Sequence, residues 1–299
     1  MIDLGFRGEN FMEIIKAVTK RGLELRGAIY GDTANDVVLV MLTGICSNVF
    51  QNDLLDATGK LLSKNRITTI IGHAHDSFSC LAYTDYSIGK QRHTGVFNDD
   101  FSKVYEDVET WVLKAREMGF KKIILAGHSL GSNKIINYLG NTPDDYVDYF
   151  IVSSPVDIMH WWDVMPNVDK CMAMANEFVN KNRGDDILPF LFGGFSPMTA
   201  NTVLGFYNAE NLKNCPVLSG KGETKSLYNI KPNGAFIIGS KDSVTGESPK
   251  GFMEQLNKWT RNPEGNQVIE IEGASHIFYN MHDVYAETLL GCITSHFDL

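Results

Sequence analysis

Residues 123–132 have the sequence IILAGHSLGS, in which a short apolar run leads directly into a serine between two glycines. The run at 123–126 predicts a buried strand, and residues 132–139 predict the helix that follows it. In this strand–turn–helix setting, a G-x-S-x-G motif presents a serine hydroxyl above a sheet edge. The glycines leave room for a strained turn, and the helix N-terminus favours negative charge beside the serine. The sequence therefore predicts Ser129 as a catalytic nucleophile, in preference to a serine that only caps a helix.

Two further positions offer the partners that a serine nucleophile needs. A base must take the hydroxyl proton, and a carboxylate must orient that base and stabilise its charged form. His276 lies in GASH, just past a predicted strand at 268–271, and Asp242 lies in GSKD, directly after a predicted strand at 235–238. Because the carboxyl ends of parallel strands meet at one sheet edge, we expect both side chains to lie close to Ser129.

A second carboxylate competes for the role of the acid. Asp157 follows a short predicted strand at 150–152, and some enzymes with this arrangement take their acid from that position. The tighter G-x-x-D context of Asp242 favours it as the acid, and Asp157 is kept as the alternative.

The oxyanion that develops during acyl transfer needs two backbone N–H donors. One is expected from Leu130, the residue after the nucleophile. The other is expected from the loop after a predicted strand at 37–42, where Gly44 permits a backbone conformation that turns the next amide inward. Ile45 is therefore the predicted second donor, with Cys46 as the alternative.

Short apolar runs alternate with helical patterns along most of the chain. The predicted strands are 37–42, 67–71, 123–126, 150–152, 235–238 and 268–271, and the predicted helices are 54–64, 101–118, 132–139, 252–259 and 284–293. A repeated strand-then-helix order predicts an α/β fold with a mostly parallel central sheet and helices on both faces. Right-handed crossovers then bring the loops that follow the strands to one edge of the sheet.

The alternation is interrupted between residues 155 and 231. This segment is too long for a loop and is rich in aromatic residues and methionine, so we expect an inserted helical cap on a core formed by 1–154 and 232–299. Its aromatic side chains either pack the cap onto the core or also form an apolar pocket over the active site. Trp161 and Trp162 are the pocket residues predicted from this segment.

A segment with two histidines follows the second predicted strand. Residues 72–76 have the sequence GHAHD, which is similar to the H-x-H-x-D-H run of metal-dependent hydrolases but lacks its spacing and its final histidine. We predict no metal and no cofactor here, and expect the loop to line the substrate pocket. His75 and Asp76 are the predicted contacts, together with Cys46 from the neighbouring loop.

Composition limits the functions and locations open to the chain. The 299 residues are 43% apolar and 21% charged, with a formal net charge of −9. The apolar content supports a sizeable core, and the acidic balance lacks the positive surface of a nucleic-acid binder. Five scattered cysteines without a C-x-x-C pair argue against disulfides and thiolate zinc sites. The first 20 residues lack the apolar segment of a signal peptide and no apolar run reaches membrane-spanning length, so we expect a cytoplasmic protein.

The chain resembles the α/β-hydrolase superfamily from about Arg21 to Phe297. The motifs VVLVMLTG, IILAGHSLGS, FIIGSKDSV and IEGASHIF carry the resemblance. The opening RGLELRGAIYG and the long helix before GHSLG are similar to intracellular serine esterases, including feruloyl and siderophore esterases. The resemblance implies an eight-stranded sheet, a triad in the chain order serine, acid, histidine, and hydrolysis through an acyl-enzyme. Many relatives have His-Gly in the oxyanion loop, where this chain has Thr43 and Gly44.

These patterns predict a serine esterase that cleaves a carboxylic ester with a bulky apolar or aromatic part. An acyltransferase, or an enzyme that processes lactones or thioesters, would use the same triad, because these reactions differ in what attacks the acyl-enzyme. A non-catalytic ligand-binding protein is a further alternative, against which the presence of Ser129, Asp242 and His276 argues. The expected partner is a small-molecule ester, with no nucleic acid and no membrane, and the sequence makes no prediction of the oligomeric state.

Overall fold

The structure, a computed structural model, describes residues 12–194 and 196–299. Residues 1–11 and Phe195 lie outside the described residues. The signal-peptide prediction rests partly on residues 1–11. The strands are β1 (Met12–Val18), β2 (Glu24–Tyr30), β3 (Val37–Leu42), β4 (Ile67–Gly72), β5 (Leu81–Asp85), β6 (Lys90–Thr94), β7 (Lys122–His128), β8 (Tyr149–Ser153), β9 (Ile187–Phe192), β10 (Ser196–Thr199), β11 (Gly234–Lys241) and β12 (Gln267–Ser275). The helices are α1 (Asp53–Lys64), α2 (Val104–Glu117), α3 (Leu130–Asn141), α4 (Ile158–Val164), α5 (Val168–Asn180), α6 (Ala200–Tyr207), α7 (Lys225–Asn229), α8 (Pro249–Lys258) and α9 (His282–Phe297). Within these ranges, no helix has both the length and the apolar content that crossing a bilayer demands.

Eight of the strands form one sheet in the order β1-β2-β4-β3-β7-β8-β11-β12. From β4 to β12 all neighbours are parallel, whereas β2 pairs antiparallel with both β1 and β4. Every residue of β3 and β4 is buried, which explains why these strands appear in the sequence as continuous runs with no charge. The loops that follow the parallel strands therefore share one edge of the sheet.

The two faces of the sheet pack against two separate cores. Val38 and Val40 of β3 belong to a cluster that also contains residues of α2, α3 and α8. Leu39 and Met41 of the same strand belong to a second cluster, with residues of α1 and α9. Because neighbouring strand residues point to opposite faces, both sides of β3 are covered by helices. The predicted mostly parallel sheet with helices on both faces is confirmed.

The sequence pattern does not predict four antiparallel pairings, namely β1 with β2, β2 with β4, β5 with β6 and β9 with β10. Five of the seven residues of β1 and four of the five residues of β6 are exposed. Strands exposed to this degree need no apolar run, so their composition resembles that of loops.

The segment 155–231, called the insert below, lies between β8 and β11. It contains helices α4 to α7 and also the hairpin of β9 and β10, so the expected helical cap is not all helical. Its apolar residues form a third cluster, which includes Trp162 and Phe206 and extends to Leu130 in α3. This contact places part of the insert beside the residue that follows Ser129. The division of the chain into cap and core at residues 154 and 232 stays a prediction.

Candidate active site

Ser129 lies in a sharp turn between β7 and α3. Its backbone has φ 54° and ψ −129°, a strained conformation for a residue with a side chain. A Cβ on Gly127 would lie 2.4 Å from the carbonyl oxygen of Gly131, and a Cβ on Gly131 would lie 2.3 Å from that of Leu42. Both positions therefore require glycine, because backbone segments approach each other closely on either side of the serine.

Hydrogen bonds fasten this turn to the end of β8. The Ser129 amide donates to the carbonyl oxygen of Ser153 at 3.0 Å. The Ser132 hydroxyl lies 2.8 Å from the carbonyl oxygens of Gly127 and Ser153, and it accepts the Ser153 amide at 3.0 Å. The neighbouring strand thus fixes the position of Ser129.

Three loops bring Ser129, His276 and Asp242 into contact. His276 Nε2 lies 3.0 Å from Ser129 Oγ. His276 Nδ1 lies 3.1 Å and 3.0 Å from the two carboxylate oxygens of Asp242. Because an ionised carboxylate only accepts hydrogen bonds, Nδ1 donates to it and Nε2 can accept the serine proton. Ser129, His276 and Asp242 therefore follow one another along a chain of hydrogen bonds, in the order that a nucleophile, a base and an orienting acid would take.

Asp242 is held in its ionised form although it is buried. Burial alone would raise the pKa of this carboxyl, but the hydrogen bond and charge of His276, with the Val244 amide, hold the pKa below its usual value. The Val244 amide donates to Asp242 Oδ1 at 2.9 Å. A carboxylate beside Nδ1 stabilises the imidazolium that forms when Nε2 takes a proton.

His128, inside the G-x-S-x-G motif, supports the loop that carries His276. Its burial, with the nearby His276 adding to the effect, lowers the pKa of His128 to about 4, so this side chain is neutral at pH 7. His128 Nε2 lies 2.8 Å from the carbonyl oxygen of His276. A carbonyl oxygen only accepts, so Nε2 carries the hydrogen and donates it. The sequence analysis did not assign this contact.

Asp157, the alternative acid, has other partners. Its carboxylate accepts hydrogen bonds from the amide of His160 at 3.1 Å, from the amides of Leu218 and Ser219 at 2.8 Å each, and from the Ser219 hydroxyl at 2.8 Å. These bonds cap the start of α4 and tie it to a later part of the insert. Of the two aspartates, Asp242 is the one that contacts His276.

The loop after β3, which carries the predicted second oxyanion donor, packs against Ser129. A Cβ on Gly44 would lie 3.0 Å from the Cβ of Ser129, so glycine permits this close approach. The Cys46 amide already donates to the carbonyl oxygen of Asp76 at 2.8 Å. Of the two donors that the sequence offers from this loop, the geometry therefore favours Ile45.

A cavity of about 110 Å³ lies beside Ser129 and His276. Its lining consists of Ile45, Ser129, Leu130, Val156, Ile158, Trp161, Phe206, Val244 and His276. Apart from Ser129 and His276, the lining is apolar. Trp161 is the one predicted pocket residue in this lining, and the sequence analysis missed Val156, Ile158, Phe206 and Val244. Phe206 and Val244 lie far in the chain from Val156 and Ile158, so only folding brings these residues together.

The other predicted pocket residues lie outside this lining. Trp162 is 1% exposed, and its ring packs within the insert, 4.9 Å from the ring of Phe192 and 5.1 Å from that of Tyr207. Cys46 is not part of the cavity wall, although it is adjacent in sequence to Ile45, which is.

His75 and Asp76, predicted to contact substrate, instead belong to a buried network of charges. His75 Nδ1 lies 2.6 Å from Asp107 Oδ2, and an Arg21 nitrogen lies 2.6 Å from Asp107 Oδ1. Burial alone would raise the pKa of Asp107, yet His75 and Arg21 hold it at about 2. Asp76 forms an ion pair with Lys134. These charges are paired with one another inside the protein.

Both histidines of the GHAHD segment bond to protein groups. His73 Nε2 accepts the Val49 amide at 3.1 Å, and His75 pairs with Asp107. Across residues 12–194 and 196–299, no group of three or more His, Cys, Asp or Glu side chains is arranged to hold a metal ion.

Lys134 is a residue near the site that the sequence analysis missed. It is the one charged residue in the sequence of α3, LGSNKIINYLGN, and it is fully buried. The sequence did contain a signal for this residue, because Lys134 is a single charge in an otherwise uncharged helix directly after the G-x-S-x-G motif. A lysine buried in such a helix needs a charged or polar partner.

One protein family has a model that matches part of the chain. The family is described as a protein of unknown function, DUF1749, and the match covers residues 93–210, less than half of the chain. No curated protein sequence matches the chain.

Solved structures are similar to nearly the whole chain. The α/β hydrolase GrgF from Penicillium sp. sh18 has a TM-score of 0.69 at 14% identity, over 97% of this chain and 100% of that one. Est1E from Butyrivibrio proteoclasticus has a TM-score of 0.57 at 13% identity, over 94% and 99% of the two chains. The esterase Pf2001 from Pyrococcus furiosus has a TM-score of 0.56 at 14% identity, over 93% and 90%. At such identities the similarity establishes the fold alone. The chain therefore has the α/β-hydrolase fold.

Proposed function

We propose that the protein hydrolyses a carboxylic ester through an acyl-enzyme formed on Ser129. The observation that carries this proposal is the chain of hydrogen bonds from Ser129 Oγ through His276 to Asp242, with heavy-atom distances of 3.0–3.1 Å. These distances are within the reach that proton transfer from nucleophile to base requires. The esterases among proteins of the same fold support the reaction class.

In the proposed reaction, Ser129 Oγ attacks the carbonyl carbon of the ester while His276 Nε2 takes the hydroxyl proton. The tetrahedral intermediate collapses when the bond to the alkoxy group breaks and His276 returns the proton to the departing alcohol. Water then attacks the acyl carbon and gives a proton to His276. His276 passes this proton to Ser129 Oγ as the bond between Oγ and the acyl carbon breaks, and the acid leaves. Asp242 keeps His276 in the reactive orientation and remains ionised throughout.

The amides of Leu130 and Ile45 are the proposed donors to the oxyanion. Leu130 is the first residue of α3, where a helix N–H has no acceptor within the helix. Ile45 lies in the loop that packs on Ser129, and both residues line the cavity beside the nucleophile. Removing one such donor typically slows an enzyme by about 10²- to 10³-fold.

The cavity supports a short acyl group. An apolar cavity of about 150 Å³ holds benzene, so the 110 Å³ beside Ser129 takes roughly four carbon atoms. Its apolar walls suit an aliphatic chain, because each buried methylene contributes about 0.8 kcal/mol. We therefore propose that the acyl side of the ester ranges from acetate to about butyrate in length.

The alcohol side is where we propose that a bulky apolar or aromatic group binds. Ile277 and Tyr279 lie one and three residues after His276, which protonates the departing alcohol in the proposed reaction, and they are 54% and 66% exposed. Apolar side chains at the surface beside a reacting group can hold the apolar part of a leaving group.

A fluorophosphonate probe tests the nucleophile. The Ser129 oxygen should displace fluoride from phosphorus and form a stable adduct, which mass spectrometry would locate on the peptide containing Ser129. Ser129→Ala should not react. If the wild type reacts no faster than Ser129→Ala, the proposed function is wrong.

A panel of p-nitrophenyl esters tests the substrate. We expect kcat/KM to rise about fourfold for each methylene from acetate to butyrate, which corresponds to about 0.8 kcal/mol, and then to fall. A steady rise beyond octanoate contradicts the short-acyl proposal. Added acceptor alcohols distinguish hydrolysis from acyl transfer, because a transferase would give a new ester in place of the free acid.

A further inference from the structure

Lys134 connects the nucleophile's helix to the loop that carries Ile45. It lies on α3 just over one turn after Ser129, with its side chain fully buried. Its ammonium group donates to Asp76 Oδ1 and lies 3.3 Å from the carbonyl oxygen of Thr43. A lysine has three donors, so this one side chain can bond to both acceptors at once.

Asp76 and the residue after it hold the same loop at two further points. The carbonyl oxygen of Asp76 accepts the Cys46 amide at 2.8 Å. The Ser77 hydroxyl lies 2.8 Å from Thr43 Oγ1. Ile45 therefore lies in a short stretch whose two ends, Thr43 and Cys46, are both bonded to the buried segment around Asp76.

We propose that Lys134 and Asp76 are positioning residues that hold the Ile45 amide where the oxyanion forms. The inference rests on the proposed function, because an oxyanion forms only if Ser129 attacks an acyl group. Neither residue is part of the cavity wall, so the pair acts through the backbone of the loop. A donor to an oxyanion is effective when it is fixed in place before the reaction, which is what a buried pair provides.

Stability alone explains this pair poorly. The desolvation of two buried charges can exceed their attraction, and well-packed apolar residues in their place are often as stable or more stable. Asp76 Oδ2 also has no hydrogen-bond partner among the described residues, so the pair is not fully satisfied. Burial raises the pKa of Asp76, and Lys134 opposes that rise. A role in geometry gives a reason for burying a pair whose attraction is opposed by the cost of desolvation.

Two variants separate positioning from folding. Lys134→Met removes the ammonium and keeps an unbranched side chain, and Lys134→Met/Asp76→Leu removes both charges so that neither is left unpaired in the core. In both variants we expect kcat for p-nitrophenyl butyrate to fall by about 10²-fold, with KM changed by less than about threefold.

Inhibition by a trifluoromethyl ketone is a measurement that a purely structural role of Lys134 and Asp76 would leave unchanged. Ser129 Oγ adds to the ketone carbon, His276 takes the proton, and the resulting oxyanion stays bound to the same backbone donors. We expect the inhibition constant to rise about 10²-fold in parallel with the loss of kcat, because both depend on the fixed amide of Ile45.

Leu139→Ala is the matched control. Leu139 is buried on the same helix and belongs to the core cluster of the sheet, so its truncation destabilises the protein without altering the contacts of the loop. We expect a lower urea midpoint with kcat within about threefold of wild type.

The outcomes distinguish the inference from the function on which it rests. A double variant that folds stably and remains slow supports positioning. A double variant with native kcat and native inhibitor affinity overturns it, and so does an equal loss of kcat in Leu139→Ala. A wild-type protein that neither cleaves esters nor reacts with the fluorophosphonate refutes the proposed function, and the inference with it.

Discussion

Asp242→Asn, compared with Asp157→Asn, separates the two carboxylates that follow neighbouring strands of the sheet. Both aspartates are buried, at 1% and 2% exposure, so each variant removes one buried negative charge. Asp242 contacts His276 Nδ1 at 3.0 Å, whereas Asp157 accepts amide hydrogens within the insert. The same chemical change therefore tests two different roles.

The magnitude for Asp242→Asn follows from what the carboxylate does to the imidazole. An amide in its place does not stabilise the imidazolium by charge. Its NH₂ group facing Nδ1 also favours the tautomer in which Nε2 carries the hydrogen, and that nitrogen cannot take the proton of Ser129. We expect kcat to fall by about 10⁴-fold, which is about 5.4 kcal/mol of transition-state stabilisation. KM should change little, since Asp242 is not part of the cavity wall.

Asp157→Asn should instead affect folding. An NH₂ group there would face the amides of Leu218 and Ser219, which now donate to Asp157 Oδ2 at 2.8 Å each. Buried donors left without acceptors cost about 1–3 kcal/mol of unfolding free energy. We expect that loss of stability with kcat within about threefold of wild type.

Steady-state hydrolysis of a p-nitrophenyl ester, with urea unfolding of each variant, measures both effects. A loss of kcat below tenfold in Asp242→Asn, together with a large loss in Asp157→Asn, would assign the acid to Asp157. The argument from hydrogen-bond geometry would then be refuted.

Three further predictions concern the turn around Ser129, the buried His73 and the cavity. Gly131→Ala places a Cβ 2.3 Å from the Leu42 carbonyl oxygen, so urea unfolding should show a loss of more than about 4 kcal/mol of unfolding free energy. Gly205→Ala, on α6 with nothing within 4 Å of the added Cβ, should be neutral or stabilising. Equal effects of the two substitutions would contradict the steric argument. Burial lowers the pKa of His73 to about 4, so between about pH 6.5 and pH 4 the unfolded chain binds a proton that the folded protein does not, and stability falls as pH falls. From pH 7 to pH 5 the unfolding free energy falls by roughly 2 kcal/mol for this reason. His73→Gln, whose carbonyl oxygen can still accept a hydrogen bond from the Val49 amide, should reduce the pH dependence of the unfolding free energy by that amount. An unchanged pH dependence would contradict the assignment to His73. Trp161→Ala enlarges the cavity and should raise kcat/KM for hexanoate relative to acetate by about fourfold per additional methylene held, and an unchanged ratio would show that Trp161 does not limit acyl length.

Much of the sheet could be predicted because its central strands are buried on both faces. A run such as VVLVML in β3 must be uncharged throughout, and that requirement is visible in the sequence itself. The motif around Ser129 is equally local, since Gly127 and Gly131 are required by backbone contacts within and beside a single turn. The exposed strands β1 and β6 carry no such requirement, so pattern alone did not reveal them.

Local pattern was enough to indicate a parallel α/β sheet, a strained serine turn, and a histidine and an aspartate at the ends of later strands. These features depend on side-chain periodicity and steric demands between near neighbours in the chain. The tertiary structure decided which aspartate contacts His276. It also placed His75 and Asp76, which were expected to contact substrate, in a buried network of charges. Lys134 contacts the loop that carries Ile45 only in the folded chain. Burial and pairing of a charge depend on which distant segments meet, and residues as far apart as 76 and 134 meet only in the folded chain.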